Sequence, residues 1–449
     1  MRSTRLGLLS FLLGLGLLAP GAAMAADEPF FPRAGNAGYD VVGYNVRLTY
    51  RGDETIDATT GIKAIATRRL RRFSLDFFGP EVREVRVDGR AAPFGRRPGK
   101  LRVRVAQEVE PGRPFNVTVR YRGTPPTIVD PDGTPEGWFR TDDGVIAVGE
   151  PQGTAAWIPC NNVPGDKARF DFNIGVPATL KAVANGRLRE VERAGGRAWF
   201  HWTERAPMSP YLAVLNIGRG ELVKTHAWGR PAWTLVDPRL AKGSRPVLAA
   251  LPEVIRFQSR LFGPYPFGAA GSLVDYAPDV GYALETQSRP IYAYVPDLTT
   301  LVHETAHQWF GNSVGLERWP EIWLNEGFAT WSQWYYAERH GGRSARATFE
   351  RLRRVPASNQ AFWNPPPGHP GSARRLFDPT VYVRGAMAVQ ALREEIGTRT
   401  LLRVLRRWTR EHRYGSATIR EFIALAEQVA GRNLDPLFDR WLYQRGKPR

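Results

Sequence analysis

From Tyr39 to about Gly220 apolar residues recur at every second position. In "VVGYNVRLTY" the residues Val42, Tyr44, Val46, Leu48 and Tyr50 alternate with small or polar ones. "KLRVRV" and "PFNVTVRY" repeat the pattern, with turn signals such as Asp88-Gly89 between runs. A period of two predicts strands buried on one face and solvated on the other, so this half reads as a β-rich domain.

Past "HAWGRPAW" the texture changes to runs with helical spacing: "LAALPEVIRFQSRLFG", "GFATWSQWYYAERHGG", "RGAMAVQALREEIG", "TLLRVLRRWTREH" and "ATIREFIALAEQVAG". Several stop at glycine, the residue that most easily takes the left-handed turn closing a helix. The second half is therefore expected to be mainly α. Neither a repeat nor a low-complexity linker interrupts the chain.

Composition changes this picture at the N-terminus. In a chain of 449 residues, 43% hydrophobic, the first 25 residues stand apart: Arg2 and Arg5, the apolar run "LGLLSFLLGLGLLAP", then small residues at Ala23 and Ala25. This is the charge, apolar core and cleavage-site order of a secretory signal, and the run is short for a membrane span. A secreted mature chain beginning near Ala26, with no membrane span left after cleavage, is expected; an uncleaved anchor is the rival. Cys160 is the only cysteine, so no disulfide can form within the chain even after export. The formal charge of +18 adds little. Arginine is spread through strands and helices alike, without a basic tail or nucleic-acid motif, and predicts a basic surface and no nucleic-acid partner.

The chemistry is concentrated in "LVHETAHQWFGN". On a helix His303 and His307 fall one turn apart on one face, where both imidazoles can reach one ion at roughly 2.0–2.1 Å. Glu304 then stands beside the ion, placed to take a proton from a water whose pKa a zinc ion lowers toward about 7. Two satisfied histidines on a buried helix would be the plain alternative. "WPEIWLNEGFATW" argues against it by offering Glu326, with 18 residues between it and His307. Two His and one Glu make a catalytic zinc set with an open position, unlike the closed four-ligand sets of structural zinc.

"HETAHQWFGN" followed by "WLNEGFATW" resembles the signature of the aminopeptidase N and leukotriene hydrolase family of gluzincin metallopeptidases (peptidase family M1). The resemblance extends over nearly all of the mature chain. It implies one zinc per chain held by His303, His307 and Glu326, with Glu304 as general base and then proton donor. "TVYVRGAMAVQAL" is similar to the family's Tyr-Glu-Lys-Gly segment and puts Tyr382 where a hydroxyl donates to the tetrahedral oxyanion. "GYALETQSRPIY" stands where the family has Gly-Ala-Met-Glu-Asn, so Glu285 falls on a glutamate that binds the substrate's α-amine. "GEPQGTAAWIPCNN" resembles the strand-edge segment that carries a second amine-binding position, here Glu150. Two carboxylates on one ammonium make strong charge-assisted hydrogen bonds.

Three departures stand out: Tyr282 for the family's first glycine, Thr286 for its asparagine, and Arg384 for the usual lysine two residues after Tyr382. Tyr282 is expected either to narrow the first side-chain pocket or to shift the backbone that lines the substrate. Arg384 keeps the lysine's charge but not its geometry. The end of the sequence matches the end of the family's catalytic domain, which predicts the short form, without the C-terminal helical domain and with a more open cleft. The resulting expectation is a signal over 1–25, a β saddle domain over 26–222 and a thermolysin-like catalytic domain over 223–449. The function expected is a secreted zinc aminopeptidase acting on peptides with a free N-terminus, of undetermined oligomeric state. An open-cleft gluzincin endopeptidase is one rival, and a non-catalytic binding protein on the same fold is the other.

Overall fold

A computed structural model describes residues 28–448. The signal read over 1–25 lies outside the described residues.

The N-terminal half is built around an eight-stranded sheet whose central strands are Ala168–Pro177, Tyr39–Tyr50, Ile56–Ala66 and Pro114–Gly123. Alternating burial along these strands puts Tyr44, Val46, Leu48, Phe170 and Phe172 inside. Fully burying such side chains contributes about 1.5–3 kcal/mol each. The alternation is not continuous. A register shift between Val41 and Gly43 turns Val41 inward and leaves Val42 39% exposed, so the expected inward Val42 is corrected by one residue. Such a bulge inserts an extra residue and flips every side chain before it. A second sheet of five strands includes Pro135–Arg140 and Val145–Val148, and the turn that follows it carries Glu150.

The second half is more mixed than expected. It opens on a five-stranded sheet drawn from Glu221–Ala227, Arg230–Val236, Ala270–Val274, Ile291–Tyr292 and Ala283–Leu284. The first two form a hairpin turning at Trp228 and Gly229, both with positive φ. The anticipated boundary at 222/223 therefore falls inside a strand, and the sheets change between Gly218 and Glu221. The longer helices of this domain include Leu251–Phe262, Leu298–Ala306, Trp323–Arg339, Pro379–Ile396, Thr398–Glu411 and Ile419–Ala430. Three of them end at Gly263, Gly397 and Gly431, all with positive φ. Among the described residues no helix is long and apolar enough to cross a membrane.

The two halves are tied by buried polar bonds. Lys167 of the β domain donates to the carbonyls of Asn312, Ser313 and Gly415 at 2.8–3.0 Å. Arg289 of the helical domain donates across to Gly186 (2.8 Å) and Ala184, and within its own domain to Trp233 (3.0 Å), with its guanidinium 4.5 Å above the Trp202 ring.

Candidate active site

Asp297 caps the Leu298–Ala306 helix by accepting from the Thr300 N–H at 2.7 Å. This short helix presents His303 and Glu304, and His307 follows as its C-cap. Glu326 lies in the first turn of Trp323–Arg339. The structure brings all three expected ligands together: Glu326 Oε2 is 3.1 Å from His303 Nε2 and 3.4 Å from His307 Nε2. Their donor atoms lie within 4.8 Å of one another, so one ion could take all three. His307 Nδ1 lies 3.0 Å from the Phe310 carbonyl. Donating there fixes the tautomer that leaves Nε2 free as a ligand, a usual outer-shell arrangement at metal sites.

The electrostatics fit a cation. Burial pushes Glu304 well above the usual carboxylate range, partly opposed by the positive charge of His307. Glu150 is likewise raised, first by burial and then by neighbouring carboxylates, and Glu285 is raised by burial, partly opposed by His307. Burial also works to lower His307, but Glu285 and Glu326 carry it from 6.5 up to about 10. Burial would raise Glu326, yet His307 and the contacts from both imidazoles hold it down at about 2. His303 is lowered, chiefly by burial. Without a metal a proton on His307 balances a pocket of carboxylates, a role that a divalent ion fills with more charge.

Glu285 and Glu150 stand to one side of this triad, 3% and 7% exposed, each with an Oε1 that no protein group donates to. Glu285 Oε1 is 3.9 Å from His307 Nδ1. Tyr382 lies in the first turn of Pro379–Ile396, half-buried, its ring stacked on His303 with centroids 6.1 Å apart. The helices bearing Glu326 and Tyr382 can approach because Gly327 meets Gly385: a Cβ on Gly385 would come within 3.1 Å of the Gly327 Cα and 2.7 Å of Trp323 Cδ1. Trp323 Nε1 donates to the Gly385 carbonyl at 3.0 Å across this crossing.

Of the three departures, Tyr282 donates to the Pro135 carbonyl at 3.0 Å and so bridges to the β domain beside Glu150. Thr286 is fully buried and closes its own turn on the Arg289 carbonyl. Arg384 does not face the site at all. It is buried among backbone carbonyls on the far side of its helix.

Sequence reasoning missed the residues that hold these groups in place. Gln308 accepts from the Ser288 N–H at 2.8 Å and donates to the Glu285 carbonyl at 3.1 Å, where Asn312 also donates at 2.6 Å. Asn185 donates to the Gln287 carbonyl at 3.0 Å. Glu136 accepts from the N–H groups of Gln152 (2.8 Å) and Gly153 (2.6 Å) and anchors the turn that presents Glu150. Gln308 and Asn312 lie inside the quoted motif, but nothing in their spacing tells that their partner is a backbone carbonyl more than twenty residues away.

A β-rich domain followed by a helical one, with a His-Glu-x-x-His helix and a distant glutamate converging in the cleft, defines a two-domain metallopeptidase fold and site. Comparison with known proteins agrees. The Peptidase M1 N-terminal domain matches residues 82–212 and the Peptidase family M1 domain matches residues 286–441. The chain belongs to peptidase family M1. It is 26% identical to aminopeptidase M1-C of Oryza sativa subsp. japonica, over 65% of this chain and 36% of that protein, and 24% identical to the probable aminopeptidase 2 of Sulfurisphaera tokodaii, over 89% and 52%. The chain thus spans about a third to a half of these curated relatives. It superposes along 95% of its length on all but 1% of an M1 zinc metallopeptidase from Deinococcus radiodurans, with a TM-score of 0.85 and 26% identity. A mutant of that protein has been solved bound to the substrate Tyr-Ser-Ala, with a TM-score of 0.86 to this chain.

Proposed function

We propose that this chain is a zinc-dependent aminopeptidase that removes N-terminal residues from peptides. One observation carries the reading: a two-His-one-Glu donor set with two buried carboxyls, Glu285 and Glu150, at one side of it, each with an Oε1 that accepts no hydrogen bond. The first feature suits peptide hydrolysis. The second suits a charged amine one residue from the scissile bond.

His303, His307 and Glu326 would hold the zinc. Bound there, zinc supplies Lewis-acid polarisation and lowers the pKa of water in the open position toward about 7. Glu304, raised by burial, takes a proton from the attacking water and returns it to the leaving amine, work for which a carboxylate tuned toward neutrality is suited. Tyr382, whose phenol burial keeps well above its usual range, stays protonated and donates to the carbonyl oxygen as negative charge develops, a contribution of about 2.7–4 kcal/mol for one such donor. Glu285 and Glu150 bind the α-ammonium and fix which bond lies over Glu304. The Deinococcus relative solved with Tyr-Ser-Ala supports a peptide as substrate.

The test is a peptide and its N-acetyl twin. Acetylation removes the cation and leaves two desolvated carboxylates unpaired, a loss of about 3–5 kcal/mol, so kcat/KM should fall by about two to four orders of magnitude. Equal cleavage of both, or internal cuts as first products, would favour the open-cleft endopeptidase. Zinc uptake without hydrolysis of either peptide would favour the non-catalytic binding protein. Export belongs to the same proposal, resting on the pattern of residues 1–25; N-terminal sequencing of protein recovered outside the cytoplasm should begin near Ala26.

A further inference from the structure

Tyr382 and Arg384 are two residues apart on one helix, so their side chains leave it about 200° apart. Tyr382 reaches the cleft. Arg384 enters the opposite packing layer, where it is fully buried and donates to carbonyls only: Nε to Trp441 at 3.0 Å, Nη1 to Trp363 at 2.5 Å and Gly446 at 3.0 Å, Nη2 to Arg440 at 3.1 Å and Gln444 at 2.5 Å. A guanidinium has five N–H donors, and here each has its own acceptor.

Burying a cation with no carboxylate partner is a poor way to gain stability, since apolar packing of the same volume does as well or better. What five directional bonds add is orientation. The crossing at Gly327 and Gly385 sets how closely the helix approaches the metal ligands, with Trp323 bonded to the Gly385 carbonyl on that side; Arg384 holds the opposite side of the same helix. Rotation about the helix axis is what aims Tyr382. The segment that grips Arg384 is itself tied down: Asn364 accepts from the Gly446 N–H at 2.9 Å, and Arg375 donates to the Asn364 carbonyl at 2.9 Å.

We propose that Arg384 is the positioning residue for Tyr382, fixing the rotation of its helix by gripping the 440–446 backbone from behind. This rests on the reading of Tyr382 as oxyanion donor. Catalytic groups displaced by about 1 Å lose roughly 10²-fold in rate, and loss of aim weakens a donor that acts on developing charge without altering ground-state binding. The lysine usual in the family offers three donors to five carbonyls and cannot reproduce the fork.

The experiment is a double-mutant cycle on the zinc-loaded full chain, with zinc content and thermal unfolding measured for every variant. Arg384→Lys should lower kcat by about 10- to 100-fold while KM stays within about twofold. In a Tyr382→Phe background the same change should cost no more than about twofold in kcat, because nothing remains to be aimed. Additive losses, an unchanged kcat, or a rise in KM alone would overturn the proposal. If Arg384→Lys does not fold, Asn364→Ala releases Gly446 with the arginine intact, and its kcat loss must likewise vanish in the Tyr382→Phe background. The two readings fail differently: a Tyr382→Phe enzyme of full kcat removes the oxyanion role itself, whereas a slow one with additive Arg384 losses removes only the positioning role.

Discussion

Loading the metal should displace a proton, and the structure says from where. In the metal-free site Glu285 and Glu326 outweigh the effect of burial and raise His307 from 6.5 to about 10, a preference for the charged imidazolium on the order of 5 kcal/mol. His303, lowered chiefly by burial, is already neutral. A zinc ligand must be the neutral imidazole, so at pH 8 each zinc bound should release at least one proton, and apparent affinity should rise about tenfold per pH unit up to roughly pH 10. The sign for stability follows. A His raised in the folded state contributes stability that is full below its unfolded value and is lost as pH rises through about 10. The metal-free protein should therefore lose stability between neutral pH and pH 10 by more than the zinc form. Calorimetric titration of zinc at pH 8 in buffers of different ionisation enthalpy counts the protons, and nitrogen chemical shifts of the metal-free protein should show one charged imidazole in the pair. Zero protons released, or two neutral imidazoles at pH 8, would refute the electrostatic account of the site.

Three further outcomes are expected. Glu304→Gln should keep one zinc per chain while lowering kcat by about 10²–10⁴-fold, since the amide cannot accept the water's proton; elemental analysis beside turnover checks it. Arg289→Lys leaves at least one of the Trp233, Ala184 and Gly186 carbonyls poorly paired and loosens the loop carrying Glu285, so KM for free peptides should rise several-fold with kcat nearly kept, read by steady-state kinetics. Gly385→Ala drives a methyl into Trp323 and the Gly327 backbone and should cost about 1–3 kcal/mol in denaturant unfolding, as overpacking does.

The metal site was legible because its determinants are local: one helical turn fixes His303, Glu304 and His307, and Glu326 lies at the start of the next long helix. Glu285, Glu150 and Tyr382 became legible only by resemblance, since a glutamate in a loop and a tyrosine in a helix carry no signal of their own. The sheet opening the second half was missed for a physical reason. Ala270–Val274 is buried on both faces and Ile291–Tyr292 spans two residues, so neither shows the alternation that betrays a half-exposed strand. Arg384 was read by charge, whereas its surroundings respond to its donor count. The bulge at Val41 was invisible because "VVG" suits either register.

On the proposed reading of Glu150 and Glu285 as the amine site, the structure also accounts for removal of one residue, and not two or three, at a time. Glu150 comes from the β domain and the metal ligands from the helical domain, so the distance between amine and scissile bond depends on how the two are docked. Glu285 sits on a loop that belongs mechanically to both. On one side Asn185 and Arg289 hold that loop to the β domain, and the Gly186 N–H donates to Ser288 at 2.8 Å. On the other side Gln308 and Asn312 hold it to the segment bearing His307. Lys167 closes the ring by donating to the carbonyl of Asn312 itself. A buried circuit of this kind has few alternative arrangements, because each broken bond leaves an unpaired buried group costing about 1–3 kcal/mol. The register of cleavage, on this account, comes from the stiffness of the link between amine site and metal site and not from a wall at the far end of the cleft. Enlarging the cleft on the leaving-peptide side should then change which peptides fit without changing which bond is cut.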